Sequence, residues 1–69
     1  MEKKIIEASI VEIHGEYGIA RVKETVILNN ETVYGRTQTW YDVCLDKGEG
    51  DIVASFKRIT NARKWAKEN

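Results

Sequence analysis

The chain has 69 residues, 42% hydrophobic and 32% charged, and its eleven basic and eleven acidic side chains cancel. That mix excludes a disordered chain, and its neutrality excludes a bulk nucleic-acid coat protein, which needs surplus positive charge. A single cysteine, Cys44, excludes an internal disulfide framework and favours a reducing, cytoplasmic compartment.

The sequence reads as one domain, residues 1–69, of four strands and one helix. Strand one is expected over Lys4 to His14, rich in Ile and Val; Glu7, Ser9 and Glu12 interrupt the apolar run, so it is neither a signal peptide nor a membrane span. Gly15-Glu16 suits a type II′ turn, because glycine tolerates the positive φ required at the first central position. Strand two follows from Tyr17 to Leu28. Asn29-Asn30 suits a type I′ turn, asparagine being the best non-glycine residue at positive φ. Strand three runs from Thr32 to Leu45, with Gly35 marking a bulge or twist point. DKGEGD, residues 46–51, is a loose acidic turn before strand four, Ile52 to Phe56.

A helix is expected from Ile59 to Lys67. Ile59, Ala62, Trp65 and Ala66 form its apolar stripe, and Asn61, Arg63, Lys64 and Lys67 lie opposite. So short a helix is stable only when docked, with Trp65 as anchor. The fold class is therefore α+β, a four-stranded antiparallel meander with one C-terminal helix on one face (ββββα). One helix covers one face of such a sheet, so the other meets water or a partner.

Two-residue turns fix which side chains share a face. Pairing through Asn29-Asn30 sets Val22 opposite Thr37, Ile19 opposite Trp40, Arg21 opposite Gln38 and Lys23 opposite Arg36. The helix-covered face then holds Val22, Val26, Leu28, Val33, Tyr41, Val43 and Leu45, with Phe56 or Val53. Val11, Ile13 and Ile5 join from strand one, where Glu7 and Ser9 fit only if the strand carries a bulge. The open face holds Arg21, Lys23, Tyr34, Arg36, Gln38 and Trp40, bordered by Ile6, Ala8, Ile10, Glu12, Ile19 and Ile27. The like charges Lys23 and Arg36 repel there unless an anion or an acidic surface relieves them, although exposed pairs also splay apart in water at small cost.

No catalytic or metal signature emerges. His14 and Cys44 are far apart in the chain and form no zinc pattern. Asp46, Glu49 and Asp51 lack the spacing of a calcium loop, and Gly48-x-Gly50 lacks the following Gly-Lys-Ser/Thr of a phosphate loop. The expectation is a protein that is not an enzyme, with no cofactor, metal, membrane or small-molecule substrate.

The last stretch, YDVCLDKGEGDIVASFKRITNARKWAKEN, has an aromatic-x-Val-x-Leu strand, a glycine turn and a short strand ending in Phe56. Ile59, Ala62 and Trp65 then follow at intervals of three. This skeleton resembles the sheet-plus-helix ending of the small arm-binding domains of phage and transposon tyrosine recombinases. The resemblance implies a sheet packed on a C-terminal helix and DNA reading by the sheet. Two features depart from that family: the neutral charge, and the acidic turn where those domains carry Lys and Arg. In size and style the chain also resembles small accessory proteins of bacteriophages and mobile elements. The functional expectation is a binding module that engages a protein partner, as an inhibitor in one version, or a second copy of itself, through the open face. The alternative is DNA or RNA binding by that face, aided by the basic tail Lys57, Arg58, Arg63, Lys64 and Lys67.

Overall fold

The computed structural model describes residues 2–28 and 37–69. Four strands, β1 (Glu2–His14), β2 (Tyr17–Leu28), β3 (Thr37–Cys44) and β4 (Ile52–Phe56), form one antiparallel sheet in the order β1-β2-β3-β4, and a helix, α1 (Ile59–Glu68), follows. The ββββα architecture is thus the one expected, and β2 and β4 have the expected bounds. The tight turn between β1 and β2 places Gly15 at φ 62 and leaves Glu16 out of the left-handed region, as a type II′ turn requires. Asn29-Asn30, Gly35, and strand three before Thr37 lie outside the described residues. No described helix is long and apolar enough to cross a membrane.

A bulge does interrupt β1. Ile10 pairs with Ala20 and Glu12 with Ile19, leaving Val11 as the extra residue. The bulge changes which face each side chain takes. Before it, Glu7 and Ser9 stand with Lys23 and Arg21; after it, Glu12 and His14 stand with Ile19 and Tyr17. Ile13 and Ile5, expected in the core, are exposed, whereas Val11 packs against it.

The pairing of β2 with β3 departs from expectation. Val22 lies opposite Trp40 rather than Thr37, and Ile19 opposite Val43 rather than Trp40. A displacement of three residues is odd, so every β3 side chain changes face relative to β2. The gain from this register is visible under α1. Ile19 and Val43 become neighbours on one face, both fully buried, and Ala62 and Ala66 of α1 close over them. Val11, Tyr17, Tyr41, Ala54, Phe56, Ile59 and Trp65 pack around this centre. Burying two branched aliphatic side chains stabilises by roughly 3–6 kcal/mol, well beyond the preference of a two-residue turn. Val22 is buried as well, but on the opposite face, while Leu45 and Val53 are exposed.

Small residues set the fit of α1. Ala62 and Ala66 lie one turn apart and let the helix axis approach the sheet. Trp65 is half-buried and flanks this contact, its ring meeting Tyr17 edge-on with centroids 5.2 Å apart. The helix therefore rests on its alanines, and the anchoring role expected of Trp65 is a flanking one.

The DKGEGD segment is a knot rather than a loose turn. Gly48 and Gly50 both donate backbone N–H groups to the Leu45 carbonyl, at 3.0 and 2.8 Å, and Leu45 donates to Asp51 at 3.0 Å. Lys47 donates to the Glu16 carbonyl at 2.8 Å, which draws the knot onto the sheet face opposite α1. Gly18 lies directly beneath it: a methyl group there would meet the Gly48 nitrogen at 2.4 Å. Both faces are therefore covered at the end near Gly15. The opposite end is an open ribbon, with Lys3 to Ile10 exposed along its whole length. The molecule measures 43 × 20 × 16 Å with a radius of gyration of 13.9 Å, against about 11 Å for a compact chain of this length.

Candidate protein-binding face

The register divides the expected binding row by chemistry. Arg21 and Lys23 lie on the α1 side, opposite Tyr41 and Thr39. Gln38 and Trp40 lie on the reverse side, opposite Glu24 and Val22. Tyr34 and Arg36, and with them the expected Lys23–Arg36 pair, lie outside the described residues, and Lys23 faces Thr39. Two odd shifts cause this: the displacement of β3 parts Trp40 from Ile19, Arg21 and Lys23, and the Val11 bulge carries Ile6, Ala8 and Ile10 across with Trp40 while Glu12 stays with Ile19.

The reverse side of the open ribbon is apolar at its centre. Ala8, Val22 and Trp40 form one cross-strand row. Ile10 and Ala20 lie in the next row towards the knot, and Ile6 and Glu24 in the next row away from it. Ile6 is 61% exposed and Ile10 44%, and neither is reached by α1, which packs on the other face. Trp40, half-buried, lines a shallow hollow of about 500 Å³ together with Gln38, Thr39 and Lys57. Lys57, expected only as part of the basic tail, stands beside Trp40 because it follows Phe56, the last residue of a strand hydrogen-bonded to β3. An indole ringed by an ammonium, an amide and aliphatic side chains is the composition of an interface centre with a polar rim.

The α1 side of the ribbon is polar. Glu7 and Lys23 are direct cross-strand partners, as are Ser9 and Arg21. The Arg21 guanidinium lies 5.9 Å from the Tyr41 ring centroid, within cation–π range. Lys23 thus has an opposite charge beside it.

At the covered end, the Val11 bulge presents Glu12 to α1. Arg63 donates Nε and Nη2 to Glu12 Oε2 at 2.6 and 2.5 Å, and His14 Nε2 lies 3.0 Å from Glu12 Oε1. The Arg63 hydrogen bonds, then that of His14, hold the Glu12 carboxyl below the usual glutamate range. On the reverse side, buried Asp42 accepts a hydrogen bond from Ser55 Oγ at 2.6 Å. Burial, then the Asp42 charge, pushes the Cys44 thiol up, which keeps it protonated and unreactive. These groups fasten elements together, and none has the nucleophile-base geometry of a catalytic pair.

Among the described residues, no three His, Cys, Asp or Glu side chains are grouped to hold a metal ion. No protein-family model, curated protein or solved structure matches this chain.

Proposed function

We propose that this protein is a non-enzymatic binding module that takes a protein partner on the reverse face of its open ribbon, with Trp40 at the centre of the contact. The observation that carries the reading is the exposure of Ile6 and Ile10 on the same face as Trp40, beyond the reach of α1. Apolar groups gathered on one face and rimmed by Lys57, Gln38 and Glu24 favour a partner with an apolar surface of its own. The resemblance to recombinase arm-binding domains concerns layout, and among the described residues Arg21 and Lys23 stand on the α1 side, away from Trp40.

The test is affinity capture from extracts of the source cells, followed by titration of the retained protein. Wild type is compared with Trp40→Ala, Ile6→Asp and the α1-side variant Arg21→Glu, each verified as folded by circular dichroism. Loss of Trp40 is expected to weaken binding about 30-fold or more, as for a central aromatic, while Arg21→Glu changes it little. A retained protein indifferent to Trp40 and Ile6 contradicts the proposal.

One observation favours a second reading. Arg21 and Lys23 are exposed on the α1 side, with Arg21 against the Tyr41 ring, a pairing used to hold nucleic-acid backbones and bases. This reading expects DNA or RNA retardation at low salt that falls steeply with added salt and is lost in Arg21→Glu. Absence of retardation at low salt removes it.

A further inference from the structure

We infer that two copies of this chain pair through the outer edge of β1, antiparallel and about a two-fold axis at Ile5, to form one continuous eight-stranded sheet. Among the described residues β1 pairs only with β2, so its other edge offers unpaired backbone groups. The two outer edges of the sheet differ sharply. The edge at β4 is five residues long, and its pairing with β3 is broken by a register shift at Val53, both of which discourage strand addition. The edge at β1 runs for 13 residues, contains no proline, and is regular from Glu2 to Ile10. Ile5, 39% exposed, and Ile6 lie along it.

The sequence of β1 is complementary to itself in one register. Antiparallel pairing about Ile5 sets Lys3 opposite the partner's Glu7 and Glu7 opposite the partner's Lys3, with the two Ile5 side chains in contact between them. Centring on Lys4 or Glu7 instead opposes like charges, and centring on Ile6 opposes no charges at all. The row across the new sheet then alternates in sign, Lys23, Glu7 and the partner's Lys3, because Glu7 already neighbours Lys23. A two-fold axis perpendicular to the sheet keeps like faces together, as opposed residues in antiparallel strands require. The covered end begins at Glu12, about 23 Å along β1 from the axis, so the two helices and knots point away from each other without collision. The two apolar reverse faces merge into one platform. This inference concerns the edge of β1 and stands whether or not that face binds a partner.

The test is sedimentation equilibrium of the intact chain over a range of concentrations at low salt. Wild type is expected to dimerise reversibly. Lys3→Glu, which leaves Lys23 and Glu7 in place, converts two attractive pairs into two repulsive ones and is expected to raise the dissociation constant about tenfold or more. Glu7→Lys is expected to do the same, and the double variant Lys3→Glu/Glu7→Lys to restore dimerisation. Circular dichroism establishes that each variant is folded. A wild-type monomer at every concentration overturns the inference, as does a dimer indifferent to the single reversals or not rescued by the double one. Trp40→Ala is expected to leave the dimer intact, which separates this result from that of the reverse face.

Discussion

At Gly18 the chain cannot carry even a methyl group. The added carbon would stand 2.4 Å from both the Gly48 nitrogen and the Lys47 carbonyl carbon, which are backbone atoms and cannot swing aside. Gly18→Ala is expected to cost about 1–3 kcal/mol in urea unfolding, because the 46–50 knot must lift off β2. Ile19 is the corresponding position on the other face. Ile19→Ala should remove about 2–5 kcal/mol from a molecule whose total stability is about 3–10 kcal/mol, and Ile19→Val only about 0.5–1.5, both read as shifts in the urea midpoint. Cys44 is expected to resist labelling by a thiol reagent in the native protein and to react at the rate of a free cysteine once unfolded. Some of this was legible in the residues themselves. Glu7 and Ser9 fitted the apolar face badly enough to require a bulge, and the structure supplies it at Val11. The roles of Gly18 and Lys47 were not legible, because a loop folding back over a sheet leaves no local periodicity to read.

Elements join here through small contacts. α1 begins without a side-chain cap on its first turn and docks through Ala62 and Ala66, which are short enough to bring its backbone near Ile19 and Val43. Ala62→Leu should overpack this seam and cost about 1–3 kcal/mol, lowering the thermal midpoint without changing the helical signal of the native state. Arg63 holds the middle of α1 to the β1 bulge through Glu12. Because the folded-state pKa of Glu12 is depressed, this contribution is complete above the ordinary glutamate value of about 4.3. It is lost as pH falls from there through the depressed folded value. Glu12→Gln is therefore expected to be less stable than wild type at pH 7, with the difference shrinking at acid pH, as urea titrations at several pH values would report. The helix itself was readable from the spacing of Ile59, Ala62 and Ala66. So was its sheet-facing stripe, but that the alanines rather than Trp65 would bear the closest contact was not, since an alanine's contribution depends on what lies opposite.

Among its described residues the molecule is an asymmetric platform, closed on both faces at one end and open at the other. The order of strands followed from Gly15, the charged knot and the apolar runs. The register of β2 against β3 did not, because Asn29-Asn30 offered a locally favourable turn and the competing gain, Ile19 beside Val43 under a helix nearly twenty residues further along, is non-local. Together with the Val11 bulge, which carries Ile6, Ala8 and Ile10 across relative to β2, that difference parts Arg21 and Lys23 from Trp40 and leaves Trp40 among aliphatic residues on the reverse side. The most direct test is a nuclear Overhauser measurement on the Trp40 indole in the native protein. Contacts from its ring protons to the methyls of Val22, its cross-strand neighbour, are the predicted result. Contacts to the Ile19 methyls instead would restore the tight-turn register and contradict the account.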